Sequence, residues 1–398
     1  MKSFHIDMIE VMRLTRAGRV QEATALLQGH QASSTANFDT LDHTGDDPDT
    51  LDLVAPVDRN GAWHVPGPAD IFGAGSPPHS ESAFGDLMRG LSAFSPVAPA
   101  APRSPAPVQQ PEGGIFETRS DAAGTSSYML YIPSSLTAAP CPLVVMLHGC
   151  TQSPEDFAAG TRMNALAEEI GFLVVYPAQS SAANSSKCWN WFETGHQARG
   201  RGEPALIAGI TREIIGAFNV DPAEVFIAGL SAGGAAAAIM GQAYPEIYRA
   251  VGVHSGLACG AARDMGSAFG AMRNGGVPRQ PAGESVVPTI VFHGDRDTTV
   301  HPVNADHVVA QAGADAPLIP RETQGATADG MAFTRTVTTD AHGHPLLEQW
   351  VLHGAGHAWS GGDSRGSYTD PRGPDASREM LRFFLETARS GSQGAGNA

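Results

Sequence analysis

A short apolar run, Val225-Phe226-Ile227-Ala228, leads directly into Gly229-Leu230-Ser231-Ala232-Gly233, and the alanine-rich stretch Ala235-Ala236-Ala237-Ala238-Ile239-Met240 follows at once. Few architectures accommodate that order. A strand that doubles back into a helix around a single serine needs small neighbours, because the two backbones must approach closely. The pattern G-x-S-x-G at a strand-to-helix junction is a nucleophile elbow, which lifts a serine hydroxyl above the sheet edge where a base can reach it. Five loosely constrained positions recur by chance in a chain rich in glycine and alanine, so the weight rests on what surrounds them.

The surroundings alternate. Residues 142–148, 172–176, 250–253 and 289–292 are short apolar runs that read as buried strands, and 128–132 and 347–352 also read as strands. Residues 161–170, 203–218 and 375–388 carry helical patterns, the last with Met380, Leu381, Phe384 and Leu385 on one face. Strands alternating with helices imply βαβ units and a mainly parallel, doubly wound α/β sheet. In such a sheet the chemistry gathers at the carboxyl ends of the strands. The rhythm runs from residue 113 to 389 and defines the expected catalytic domain.

Outside it the composition changes. Residues 1–28 read as an amphipathic helical segment. Residues 29–112 are first aspartate-rich and then proline- and alanine-rich, with six prolines between Pro96 and Pro111. Such a stretch buries too little apolar surface to order itself and is expected to be a long disordered linker. Residues 390–398 are glycine, serine, alanine, asparagine and glutamine, and are expected to form a flexible tail. The formal net charge of −16 argues against nucleic acid or anionic membranes as partners. No run of 18 apolar residues is present to span a bilayer. The first residues lack the apolar core of a secretory signal, which favours a cytoplasmic location. None of the four cysteines forms a C-x-x-C pair, so no metal site is expected.

A serine hydroxyl needs a base within hydrogen-bond reach and a group that orients the base. In doubly wound hydrolases the order along the chain is serine, acid, histidine. After the strand at 289–292 the loop reads His293-Gly294-Asp295-Arg296-Asp297, and both aspartates fit crudely as the acid. Asp297 is favoured because it lies further along the loop, away from the strand end. For the base, His357 stands out among fifteen histidines: it sits in the glycine-rich Gly354-Ala355-Gly356-His357-Ala358-Trp359, between a strand and the last helix. Acyl transfer also needs N–H donors for the oxyanion. One is expected from Ala232, the residue after the nucleophile. The other is expected from the loop Leu147-His148-Gly149-Cys150-Thr151-Gln152, at Cys150 or Thr151, with Cys150 preferred and His148 bracing the loop. Trp189 and Trp191, in Cys188-Trp189-Asn190-Trp191-Phe192, together with Trp359, are expected to wall the substrate pocket or to anchor their loops. A Cys150–Cys188 disulfide would tie the oxyanion loop to this aromatic loop.

At these residues the chain resembles the esterase family of short-chain polyhydroxyalkanoate (polyhydroxybutyrate) depolymerases, type 1 catalytic domain, which also includes feruloyl and acetylxylan esterases. The resemblance runs from about residue 113 to 388 and is carried by the five motifs quoted above. It implies an α/β-hydrolase with Ser231, Asp297 and His357 as triad, no cofactor, and an ester or polyester as substrate. It also favours an extracellular location, against the missing leader. Two rivals are a feruloyl or acetylxylan esterase and a non-catalytic hydrolase-fold scaffold. The segment before residue 113 is expected to dock on a polymer granule or a protein.

Overall fold

Ten strands form one sheet, and the reason is visible in their side-chain alternation. In the computed structural model, which describes residues 113–278, 287–313 and 318–395 (side chains to residue 390), the strands are β1 (Ile115–Ser120), β2 (Ser127–Ile132), β3 (Cys141–Leu147), β4 (Leu173–Pro177), β5 (Val220–Leu230), β6 (Ala250–His254), β7 (Thr289–Gly294), β8 (Ile319–Ala326), β9 (Ala332–Thr339) and β10 (Pro345–Leu352). Their spatial order is β1-β2-β4-β3-β5-β6-β7-β10-β9-β8. The six strands from β4 to β10 in that order are mutually parallel, and antiparallel strands flank them on both sides. Along β3, Leu143, Val145 and Leu147 enter one core cluster while Val144 and Met146 enter another. Successive side chains of a strand point to opposite faces, so a continuous apolar run is what a sheet covered on both sides demands.

Helices supply the covers. The helices α1 (Pro154–Thr161) and α2 (Met163–Ile170) lie with α7 (Ala376–Ala395) on the face of Val144 and Phe226. The helices α3 (Gly202–Ala217) and α4 (Ala232–Ala243) bury Ile207, Ile214, Ala237 and Met240 on the face of Val145 and Ile227. Two further helices, α5 (Met265–Asn274) and α6 (Val303–Ala312), complete that side, and β11 (Trp359–Ser360) pairs with β12 (Thr369–Asp370). This is the α/β-hydrolase fold.

Three local differences from the sequence reading have simple causes. The helical pattern at 161–170 belongs to two helices, because Arg162 takes a left-handed conformation (φ 57°) that ends one and starts the other. The β8–β9 hairpin escapes apolar periodicity because β8 is exposed at the sheet edge. The last helix continues to Ala395, past the point where glycine and serine were expected to fray it into a flexible tail; adding a residue to an existing helix is far easier than nucleating one. The expected N-terminal helix at 1–28, the linker at 29–112, any docking through them, and residues 396–398 lie outside the described residues. No described helix is long and apolar enough to cross a membrane.

Candidate active site

Ser231 follows β5 and caps α4 with φ 57° and ψ −119°. A non-glycine residue held there is strained, and the surrounding packing must impose it. The packing is tight: a Cβ on Gly233 would lie 2.1 Å from the carbonyl oxygen of Leu147, so α4 abuts the end of β3 only because that position is glycine. The Ser231 N–H donates to the carbonyl of His254 at 2.9 Å, fixing the elbow to the end of β6. Its hydroxyl makes no hydrogen bond among the described residues.

The loop after β3 stands beside the serine. A Cβ placed on Gly149 would be 3.7 Å from Ser231 Cβ. Hydrogen bonding separates the paired amides of this loop from the unpaired one. The Gly149 N–H donates to Gln152 Oε1 at 2.9 Å, the Thr151 N–H to Ser186 O at 2.7 Å and the Gln152 N–H to Gly149 O at 3.3 Å. Cys150 N–H has no partner among the described residues, and neither has Ala232 N–H at the first position of α4. Thr151, the other residue weighed as a donor, is thereby occupied.

That loop is fastened from beneath. Cys150 and Cys188 form a disulfide. His148, buried at the strand end, donates from Nδ1 to Gly149 O at 2.8 Å and accepts the Gln179 N–H at Nε2 at 3.1 Å. Burial pushes its pKa down to about 4, so the ring is neutral and that tautomer is kept. Trp189 Nε1 donates to His148 O at 3.1 Å. Below the 180–197 loop, buried Glu203 accepts from Asn190 N–H and Nδ2, both at 2.8 Å, and from Gln179 Nε2. Asn184 Oδ1 accepts the Ser186 and Cys188 N–H groups.

Asp297 lies in the turn after β7 with no exposed side-chain surface, and its Oδ2 accepts from His357 Nδ1 at 2.6 Å. Oδ1 takes the N–H groups of Thr299 and Val300 at 2.8 and 2.9 Å, and His293 Nε2 is 3.3 Å from Oδ2. Burial works to raise this carboxyl, but the charge of His357 and the hydrogen bonds of His293 and His357 hold it far below the usual range, as an anion. His357 Nε2 is left without a partner among the described residues. Asp295 is instead exposed, accepting from His353 Nδ1 at 2.9 Å and from the Gly354 N–H at 2.7 Å.

The tryptophans depart from the expected wall. Trp189 and Trp359 have 0% and 1% exposure and offer no face to a substrate; Trp191, at 3%, packs edge-on against Phe192. Trp359 lies edge-on to Phe157, stacks on His254, and donates from Nε1 to Ser377 Oγ. The two residues that sequence reasoning missed are His254, whose only sequence signal is its place at a strand end, and Tyr368, which has none. Tyr368 is 37% exposed, with its hydroxyl 3.2 Å from Thr151 Oγ1 beside the oxyanion loop. Among the described residues no cluster of three or more His, Cys, Asp or Glu side chains is arranged to hold a metal.

Comparison with known proteins places this site in context. Residues 126–320 match the family model "Esterase PHB depolymerase". The chain is 34% identical over 251 residues to poly(3-hydroxyalkanoate) depolymerase C of Paucimonas lemoignei, covering 59% of this chain and 58% of that protein. It is 29% identical over 203 residues to a probable acetylxylan esterase A of Neosartorya fischeri, covering 46% of this chain and 54% of that protein. A solved acetyl xylan esterase from Aspergillus awamori superposes with a TM-score of 0.53 at 21% identity, over 69% of this chain and 99% of its own, which bears on fold alone. The chain spans about half the length of the curated relatives it matches.

Proposed function

We propose, from the match of residues 126–320 to the Esterase PHB depolymerase family model, that this protein is a serine esterase acting on short-chain 3-hydroxyalkanoate polyesters or their oligomers. The observation that carries the reading is the 2.6 Å contact between Asp297 and His357 Nδ1, set at the same sheet edge as a serine on a left-handed elbow flanked by two unpaired amides. Asp297 fixes the tautomer in which His357 Nε2 is free to accept a proton. His357 takes the Ser231 hydroxyl proton as Oγ attacks the ester carbonyl. The N–H groups of Ala232 and Cys150 hold the oxyanion that develops. As the tetrahedral intermediate collapses, His357 gives its proton to the departing alkoxide, freeing the hydroxyl end of one polymer fragment. Water, deprotonated by the same imidazole, then releases the acyl group from Ser231.

Ser231→Ala is expected to abolish hydrolysis of p-nitrophenyl butyrate; a variant that kept the wild-type rate would remove the triad. A second reading, action on feruloyl or acetyl esters of polysaccharide, is supported by the resemblance to proteins named acetylxylan and feruloyl esterases. Initial rates on hydroxybutyrate trimers, methyl ferulate and acetylated xylan separate the two. Higher kcat/KM on the trimer is expected.

A further inference from the structure

His254 contacts the elbow at Ser231, the strand that leads to Asp297 and the segment just beyond His357. Its carbonyl accepts the Ser231 N–H at 2.9 Å. In the sheet it is register partner to Leu230 on β5 and to Phe292 on β7, the strand that leads to Asp297. Its ring is fully buried and lies between Phe292 and Trp359, with centroids 5.8 and 5.1 Å away and interplanar angles of 12° and 26°. Nε2 accepts the N–H of Ser360, three residues beyond His357, at 3.0 Å. Nδ1 is 3.1 Å from Ser255 Oγ, and the Ser255 N–H donates to Phe292 O at 2.9 Å. Burial keeps the ring well below its ordinary pKa and therefore neutral, which is the state an Nε2 acceptor requires.

The loop bearing His357 is held upstream of the imidazole by the Gly354 N–H on Asp295 Oδ1 and the Arg296 N–H on Ala355 O, and downstream by the Trp359 N–H on Tyr368 O and the Ser360 N–H on His254 Nε2. Residues 353–358 are rich in glycine and alanine, and β11 is two residues long. The Ser360–His254 bond joins that loop to the same residue that holds the elbow.

We propose that His254 is a positioning residue: by accepting the Ser360 N–H while its own carbonyl holds Ser231, it sets the distance between the His357 imidazole and the serine hydroxyl. This rests on Ser231, Asp297 and His357 forming the triad. Misplacement of a reacting group by about 1 Å costs on the order of 100-fold in rate. His254→Phe keeps a planar ring for the stack but removes the acceptor; it is expected to lower kcat about 100-fold with KM nearly unchanged, since binding is untouched. His254→Gln, whose amide oxygen reaches toward the Nε2 position, is expected to recover at least about 10-fold of that loss, and His254→Asn, whose oxygen falls near Nδ1, is not.

The four-variant cycle with His357→Ala separates the explanations. If His254 acts through His357, adding His254→Phe to His357→Ala leaves the residual p-nitrophenyl butyrate rate unchanged. An equal drop in both backgrounds overturns the proposal in favour of a general structural role. A near-wild-type rate for folded His254→Phe overturns it while leaving the triad intact. A fully active His357→Ala refutes the triad reading itself. Should His254→Phe fail to fold, the Gln and Asn variants decide: Asn equal to or faster than Gln overturns the assignment.

Discussion

On one side of Ser231, residues 148–152 are fastened by a covalent bond, a buried neutral histidine and a Gln152 side chain that accepts the Gly149 N–H and donates to Asp156 and Ser367 O. On the other side, residues 293–297 and 353–360 are fastened by one buried carboxylate, its donors, and the His254 contact. In the proposed mechanism the first side has to present fixed dipoles to a charge that forms elsewhere, so rigidity serves it. The second, in that proposal, has to move a proton, and it holds ionisable groups whose hydrogen bonds define a tautomer. Damage to the two sides should therefore look different: lost chemistry on the acid–base side, lost stability with a milder kinetic effect on the oxyanion side.

The largest expected effect falls on the acid–base side. Asp297→Asn keeps the size and the contacts to the Thr299 and Val300 N–H groups but turns one donor-accepting oxygen into an NH2. His357 Nδ1 then faces a donor, the imidazole proton moves to Nε2, and the base is lost. A fall in kcat of about 10⁴-fold is expected, with KM changing little. Steady-state kinetics on p-nitrophenyl butyrate test it, and a fall of less than tenfold would remove Asp297 from the acid role.

The oxyanion side should break more gently. The Cys150–Cys188 bond closes a loop with a sequence separation of 38. Replacing both cysteines by serine is expected to lower stability by about 4 kcal/mol, with a fall in Tm of roughly 10 °C. The Thr151–Ser186, Gln179–Cys188 and Trp189–His148 hydrogen bonds still hold the loop, so kcat is expected to fall only about tenfold, less than loss of one whole oxyanion donor. Equal Tm in the two proteins would show that these hydrogen bonds alone suffice.

Acid tells the buried histidines apart from the buried carboxylate by pH window. His148 has its pKa lowered from 6.5 to about 4 by burial, so between those values the unfolded chain binds the proton and the folded one does not. Stability contributed by the neutral ring is thus complete above pH 6.5 and is lost as pH falls toward 4, by about 3 kcal/mol. His254 adds a loss of the same sign. Asp297 behaves oppositely in origin: its folded pKa is depressed, so its contribution is present above the unfolded value of 3.8 and disappears only below it. Denaturant unfolding of His148→Gln at pH 7 and pH 4.5 should show a shallower decline than the parent; parallel slopes would assign the decline to other groups.

What was legible follows from the same contrast. The strand–turn–helix at Ser231, the alternating strands and the loops that bring Asp297 to His357 depend on local residue type and on topology, both of which sequence carries. Trp189 and Trp191 are buried, as loop anchors are, although Ser180 to Trp191 looks like a polar exposed loop. Polar side chains in fact turn inward on it: Gln179, Asn184 and, from α3, Glu203 satisfy backbone groups of the loop, Asn190 bonds the Asn184 and Glu203 side chains, and Trp189 is buried. No periodicity announces a loop that folds over its own polar network. The choice between Cys150 and Thr151 likewise depends on the 2.7 Å bond from Thr151 N–H to Ser186 O, a contact across 35 residues. His254 is a lone histidine at a strand end until tertiary structure stacks it between Phe292 and Trp359.

The smallest expected effect is the one that makes the largest interpretable. Asp295 stands two residues from Asp297 in the same turn and also bonds a histidine, yet its pair with His353 has side-chain exposures of 38% and 43%. An ion pair that open to water contributes about 0–1 kcal/mol. Asp295→Asn retains an oxygen for the Gly354 N–H and leaves the Asp297–His357 contact untouched. Its kcat/KM should stay within about twofold of the parent and its stability within about 0.5 kcal/mol, as for surface changes that break no buried network. Were Asp295→Asn to cost as much as Asp297→Asn, the turn as a whole would be the sensitive element, and the carboxylate's burial and its 2.6 Å contact would no longer explain why the acid–base side loses chemistry before it loses structure.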